Sequence, residues 1–178
     1  VRRGIRDTIS EAVDIQVVGE AGSYPELRDL MRRTPCDVLV LDLNMPGRGG
    51  LEVLGALKEE GSPVKVLVVS MYPEDQYAIR ALRAGAYGYV NKGGDPQTIV
   101  HAVRTVAQGR KYVTPEIAQM LVDSLTAPAA ELPHQKLSDR ELQTLVMIAS
   151  GKRLSDIAEE LMLSPKTVSV YLARVLEK

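Results

Sequence analysis

The chain has 178 residues, of which 45% are hydrophobic and 25% charged. These proportions are typical of folded globular domains and exclude a disordered or fibrous protein, and the length allows two small domains. The formal net charge is −1, which excludes a generally basic nucleic-acid binder, although residues 136–178 carry seven Lys and Arg against six Asp and Glu. Any DNA binding must therefore rest on locally placed basic residues and on dimerisation.

No segment of the sequence predicts contact with a membrane. The longest apolar runs, Val38 to Leu41 and Val64 to Met71, are far shorter than the roughly 20 residues of a membrane-spanning helix. The single cysteine, Cys36, cannot form an internal disulfide and fits a structural role in a reducing compartment. We therefore expect a cytoplasmic protein.

Residues 1–112 alternate apolar runs of strand length with amphipathic stretches of helix length, which predicts a doubly wound α/β domain with a parallel sheet. Four strands and five helices are expected, the chain opening directly in a helix with one apolar face. The predicted strands are Gln16–Gly19, Val38–Asp42, Val64–Ser70 and Tyr87–Asn91, and the predicted helices lie near residues 1–13, 25–33, 51–60, 73–84 and 96–108.

A change of composition separates this domain from the end of the chain. Thr114–Leu125 reads as a helix with Thr114 as N-cap, and residues 126–136, with two prolines and no apolar periodicity, read as an interdomain linker. Residues 113–136 thus connect the first domain to a second one at residues 137–178. Three short helices are expected there, capped by Ser138, Ser155 and Ser164, and their spacing is typical of a helix-turn-helix.

Polar side chains stand at the carboxyl ends of three successive predicted strands. Asp42 ends one strand, Ser70 ends the next and Lys92 follows the last. Ligands of open parallel sheets bind beyond these strand ends. A nucleophilic carboxylate, a hydroxyl and an ammonium group at one mouth have the chemistry needed to accept and hold a phosphoryl group.

These residues and their spacing resemble the receiver domains of two-component response regulators, which have a flavodoxin-like fold. The resemblance implies that Asp42 accepts a phosphoryl group from a sensor histidine kinase, that Ser70 and Tyr89 form a switch, and that Lys92 pairs with the phosphate. It also implies Mg²⁺, held in part by Asp42 and the backbone carbonyl of Asn44. Receivers carry an acidic pair after a first strand, which this chain lacks. We therefore expect that strand ahead of Val1, and poor Mg²⁺ binding without it.

The segment Leu137-Ser-Asp-Arg-Glu and the segment Ser164-Pro-Lys-Thr-Val168 resemble the LuxR-type helix-turn-helix. With the receiver ahead of it, the whole chain resembles the NarL/FixJ class of response regulators. The resemblance implies binding to promoter DNA as a homodimer when phosphorylated, with a fourth helix expected after Lys178. Helical spacing on the last helix assigns Val168, Leu172, Val175 and Leu176 to the core. The outward, DNA-binding residues are then Lys166, Thr167, Ser169, Val170, Ala173, Arg174 and Lys178.

Two other classes of function remain open at this point. The chain is a phosphorylation-independent adaptor or DNA-binding protein if the missing acidic pair is genuine. An aspartyl phosphatase is the enzymatic alternative, but Asn44 stands where such enzymes place a second catalytic Asp. We therefore expect no enzyme, and a transcription factor whose receiver either masks the recognition helix or prevents two DNA-binding domains from pairing.

Overall fold

The computed structural model describes residues 2–45, 47–126 and 136–178. In these ranges no helix is long and apolar enough to cross a membrane. The secondary-structure elements, in chain order, are α1 (Arg2–Ser10), α2 (Tyr24–Arg33), β1 (Val38–Asp42), α3 (Gly50–Glu59), β2 (Lys65–Ser70), α4 (Glu74–Arg83), β3 (Gly88–Asn91), α5 (Pro96–Ala107), α6 (Pro115–Thr126), α7 (Asp139–Ala149), α8 (Leu154–Glu160) and α9 (Pro165–Glu177).

The three strands form a parallel sheet in the order β1-β2-β3. Side chains alternate across the sheet as the pleat requires. In β2, Val66 and Val68 join the apolar cluster that includes α3 and α4, whereas Leu67 and Val69 join a second cluster with α5 and Ile9 of α1. Helices therefore cover both faces, which confirms the doubly wound α/β class predicted from the sequence.

The predicted strand at Gln16–Gly19 is wrong. These residues have no regular secondary structure and pair with no neighbouring strand, and β1 pairs only with β2 among the described residues. A cavity of about 930 Å³ is lined by this segment on one side and by Val38–Asp42 on the other. An apolar run becomes a strand only when a second backbone lies within hydrogen-bonding distance, and here the cavity separates the two.

Helix α6 begins as the sequence predicts. The Thr114 hydroxyl accepts a hydrogen bond from the Ile117 backbone N–H at 3.3 Å, and it donates to the Glu74 carboxylate of α4 at 3.0 Å. Ile117 is fully buried, and α6 packs along α4. Most of the predicted linker that follows, residues 127–135, lies outside the described residues.

Helices α7, α8 and α9 form the predicted helix-turn-helix around a small core of Met147, Ile157, Ala158, Leu161 and Val168. Ser138 and Glu141 form the expected capping box, with Ser138 N donating to Glu141 Oε2 at 2.8 Å. Ser164 caps α9 by accepting from Thr167 N at 3.1 Å.

One predicted cap is wrong. Helix α8 begins at Leu154, so Ser155 lies inside the helix rather than at its cap. The cap position is Arg153, whose backbone N–H donates to the Asp156 carboxylate at 3.3 Å. That bond satisfies a free donor at the helix start, and a serine cap is not needed.

Candidate functional site

Asp42 and Lys92 form an ion pair at the carboxyl end of the sheet. Lys92 Nζ donates to Asp42 Oδ2, and the Asn44 backbone N–H donates to Asp42 Oδ1 at 2.9 Å. The lysine side chain is only 7% exposed, whereas the aspartate side chain is 35% exposed. The buried ammonium group of Lys92 therefore contacts a carboxylate that is accessible to solvent and to a reactant.

Ser70 and Tyr89 meet at the backbone of Tyr72. Ser70 is fully buried, and its Oγ accepts a hydrogen bond from Tyr72 N at 3.0 Å. Tyr89 is also fully buried, and its hydroxyl donates to the Tyr72 carbonyl oxygen at 2.8 Å. Burial raises the pKa of Tyr89 well above its usual range, so the phenol stays a neutral donor. The sheet thus brings together all four residues singled out at this mouth.

Two residues of the site were not identified from the sequence. Tyr72 lies on the short loop after β2, and Asn91 ends β3 just before Lys92. Asn91 Nδ2 also approaches the Tyr72 carbonyl oxygen, at 3.5 Å, and Asn91 Oδ1 accepts from Gly93 N at 2.8 Å. The signal for Asn91 was its place beside Lys92, whereas no periodic pattern distinguishes Tyr72.

The described residues supply only part of a metal site. Mg²⁺ needs near-octahedral oxygen coordination and usually keeps several waters beside one or two carboxylates. In the described ranges no group of three or more His, Cys, Asp or Glu side chains could hold a metal ion. Both Asp42 oxygens already accept hydrogen bonds from protein groups. These residues do not by themselves fit a complete Mg²⁺ site.

The outward face of α9 is open to solvent. The side chains predicted to face DNA are exposed, except that Thr167 is half-buried: they are Lys166, Thr167, Ser169, Val170, Ala173, Arg174 and Lys178. Val168, opposite this face, is fully buried. The recognition helix is therefore not masked by the receiver, contrary to one of the two mechanisms expected from the sequence.

Two residues near the end of α9 differ from the expectation. Leu176, assigned to the core, is 79% exposed, because the apolar contacts of α9 run through Val168 and Val175 instead. Lys178 Nζ donates to Glu141 Oε2 at 2.8 Å, and this bond, followed by that from Ser138 N, lowers the pKa of Glu141. Lys178 would have to leave Glu141 to contact a phosphate.

Comparison with protein families assigns both halves of the chain. Residues 1–104 match the family described as response regulator receiver domain. Residues 135–178 match the family of bacterial regulatory proteins called the luxR family. The parallel sheet with its strand-end aspartate, followed by a helix-turn-helix, therefore defines a response regulator that controls transcription.

Curated relatives and solved structures agree with this class. The chain is 38% identical over 179 residues to the response regulator UvrY of Escherichia coli, covering all of this chain and 82% of UvrY. It is 39% identical over 178 residues to the response regulator GacA of Pseudomonas protegens, covering all of this chain and 84% of GacA. A LuxR-family two-component response regulator from Aurantimonas sp. SI85-9A1 superposes with a TM-score of 0.64 at 34% identity, covering 71% of this chain and 91% of the other. The chain belongs to the LuxR-type family of two-component response regulators, which are DNA-binding transcription regulators.

Proposed function

We propose that Asp42 is the phosphoacceptor of this regulator, that a sensor histidine kinase supplies the phosphoryl group, and that phosphorylation controls dimerisation and promoter binding through α9. The observation that supports this most strongly is the Asp42–Lys92 pair, in which an accessible carboxylate lies against a buried ammonium group. A nucleophile must be reachable, and the charge that it gains must be balanced.

In the proposed transfer, one carboxylate oxygen of Asp42 attacks the phosphorus of the kinase phosphohistidine. A P–O bond forms as the P–N bond breaks, and the imidazole leaves with the electron pair and takes up a proton. The product is an acyl phosphate on Asp42. Lys92 neutralises part of the charge that collects on the phosphoryl oxygens.

Phosphorylation replaces the single negative charge of the Asp42 carboxylate by a phosphoryl group that carries about −1.5 to −2 charges on three outer oxygens. The Ser70 hydroxyl would act as the switch group, since it accepts a hydrogen bond from Tyr72 N and its own proton is available to donate to a phosphoryl oxygen. Tyr89, which holds the carbonyl of the same Tyr72, would follow that movement. Asp42 and the backbone carbonyl of Asn44 would contribute to a Mg²⁺ site whose other ligands are not among the described residues.

The DNA-binding part of the proposal concerns residues 137–178, joined by a connecting segment at 113–136 to a receiver at 1–112. Two α9 helices of a homodimer would read half-sites about one helical turn apart. Lys166 and Arg174 suit phosphate contacts, while Ser169, Val170 and Ala173 are short enough to let the helix approach base edges.

The proposed location of the protein is the cytoplasm, because the single cysteine, Cys36, is a free thiol and fits a reducing compartment.

The first test is direct phosphorylation of the purified chain by acetyl phosphate, with and without Mg²⁺, read by intact mass. We expect an added phosphoryl group that hydroxylamine removes, and none in Asp42→Asn. Asp37→Asn, an exposed aspartate just before β1, is the matched control and should be modified like the wild type. Modification that survives in Asp42→Asn would refute the assignment, and no modification under any condition would favour a receiver that acts only as a docking module.

A further inference from the structure

Asn91 contacts two different loops at the carboxyl end of the sheet. It ends β3, where it lies opposite Ser70 of β2 in the parallel ladder, and its side chain is half-buried. The loop after β3 carries Lys92, and the loop after β2 carries Tyr72. A carboxamide has both an acceptor oxygen and a donor nitrogen, so this one side chain can bond to groups of both loops.

The oxygen of the carboxamide shapes the turn that carries Lys92. Asn91 Oδ1 accepts a hydrogen bond from Gly93 N at 2.8 Å, which closes a turn around Lys92. A Cβ atom on residue 93 would lie 3.2 Å from this oxygen, so glycine leaves room for the bond. Gly94 follows, and two glycines in a row give the backbone little stiffness of its own. The Asn91 side chain therefore restrains the backbone at Lys92, whose buried ammonium group pairs with Asp42.

The nitrogen of the same carboxamide faces the Tyr72 carbonyl oxygen. Because Oδ1 accepts from Gly93 N, the amide has one orientation, in which Nδ2 donates towards Tyr72 O at 3.5 Å. The Tyr89 hydroxyl donates to the same oxygen at 2.8 Å. A carbonyl oxygen has two lone pairs and accepts both bonds at once, but the longer bond from Asn91 is the weaker one.

The Tyr72 carbonyl loses its stronger donor whenever Tyr89 turns away, as the proposed switch requires. Tyr72 is only 8% exposed, so water does not readily replace the lost bond. An abandoned buried acceptor destabilises the state that contains it. Asn91 Nδ2 needs to approach by only about half an ångström to reach the usual length of such a bond.

We propose that Asn91 is a positioning residue of the phosphorylation site with two tasks. Its Oδ1 fixes the turn that presents Lys92 to Asp42, and its Nδ2 takes over the Tyr72 carbonyl oxygen when Tyr89 turns away. Asn91 thus reduces the cost of moving Tyr89. The first task rests on the proposed function, whereas the sharing of one carbonyl oxygen by two donors does not.

A double-mutant cycle between Asn91 and Tyr89 tests the shared carbonyl without any phosphodonor. Asn91→Ser keeps a hydroxyl that can accept from Gly93 N but is too short to reach Tyr72 O. With Tyr89 present, Asn91→Ser should leave the urea midpoint of unfolding nearly unchanged. In the Tyr89→Phe background the same substitution should lower the midpoint by about 0.5 M, because the carbonyl then loses both side-chain donors.

Gln97→Ala is the matched control, because it removes an exposed carboxamide from the first turn of α5. It should shift the midpoint by the same small amount in both backgrounds, and circular dichroism checks that every variant is folded. Equal shifts for Asn91→Ser in the two backgrounds, or a larger shift while Tyr89 is present, would overturn the shared carbonyl.

The presentation of Lys92 is tested by the rate at which acetyl phosphate modifies the full chain, read by intact mass. Asn91→Ala removes the turn and should slow modification about three- to tenfold, since a small misplacement of a group at the reacting centre costs rate. Asn91→Ser restores the acceptor for Gly93 N and should recover most of the rate, a rescue that lost packing would not show. Asn91→Ala at the wild-type rate, or Asn91→Ser as slow as Asn91→Ala, would overturn this task.

The failure of the proposed function gives a different result. A wild-type chain that takes up no phosphoryl group, with or without Mg²⁺, overturns the proposed function and with it the part of Asn91 in phosphorylation. The double-mutant cycle then still decides whether Asn91 and Tyr89 share the Tyr72 carbonyl.

Discussion

Replacing Tyr89 by Phe removes a single oxygen atom from the carboxyl end of the sheet. That hydroxyl is fully buried and donates to the Tyr72 carbonyl oxygen at 2.8 Å. A buried hydrogen bond contributes about 0.5–1.5 kcal/mol net, and an abandoned buried acceptor costs about 1–3 kcal/mol. Asn91 Nδ2 lies 3.5 Å from the same carbonyl and can tighten onto it. We therefore expect the free energy of unfolding to fall by about 1–2 kcal/mol, towards the lower part of these ranges.

Urea unfolding followed by circular dichroism measures this change. With a slope of about 2 kcal/mol per molar urea, the midpoint of Tyr89→Phe should fall by roughly 0.5–1 M with the slope unchanged. Tyr87→Phe is the matched control, since its ring lies 3.8 Å from Lys111 Nζ and keeps that cation–π contact without the hydroxyl. Its midpoint should stay near that of the wild type. Equal midpoints for both variants would show that Tyr89 does not hold the Tyr72 loop.

Three further predictions concern the DNA-binding domain. The hydrogen bond with Lys178 lowers the pKa of Glu141 in the folded state, so the ionised carboxylate stabilises the fold above about pH 4.5. This stabilisation is lost as the pH falls through the lowered pKa of Glu141. In acid unfolding curves, Glu141→Gln should therefore lose less stability on acidification than the wild type does. Ser164→Ala removes the cap of α9 and should cost about 1 kcal/mol in thermal unfolding, whereas Ser169→Ala, an exposed hydroxyl bonded to Pro165 O, should be nearly neutral. Lys166→Ala should weaken binding to all DNA sequences alike and should reduce by about one the slope of the logarithm of the binding constant against the logarithm of the salt concentration. A loss of affinity for one sequence only would contradict a phosphate contact by Lys166.

The sequence predicts that Asp42, Ser70 and Lys92 lie at one end of the sheet, because parallel strands end at a common edge. Asp42, Ser70 and Lys92 are far apart in the chain, yet each ends or follows an apolar run, and the sheet brings the three runs side by side. The caps of α7 and α9, Ser138 and Ser164, follow from local chemistry. Features that depend on a few neighbouring residues, or on strand order alone, can thus be predicted from the sequence.

Features that depend on a distant partner could not be predicted in this way. Gln16–Gly19 has the apolar pattern of a strand, but only a neighbouring backbone makes one. Tyr72 lies on a short loop with no periodicity, and its importance comes from Ser70, Tyr89 and Asn91, which approach its backbone from β2 and β3. Leu142 of α7 is buried in the same cluster as Leu43 and Tyr77, and this contact is likewise not predictable from the local pattern of either segment.

The coupling between Asp42 and DNA binding is the central feature of the proposed function. Its most direct test is fluorescence anisotropy of the wild type and of Asp42→Asn on DNA selected from a random library, with light scattering on the same samples, before and after acetyl phosphate. We predict that the phosphodonor drives dimerisation and tightens DNA binding of the wild type while leaving Asp42→Asn unchanged. If the wild type is demonstrably phosphorylated but has the same DNA affinity and the same oligomeric state by light scattering as Asp42→Asn, control of transcription by phosphorylation is contradicted.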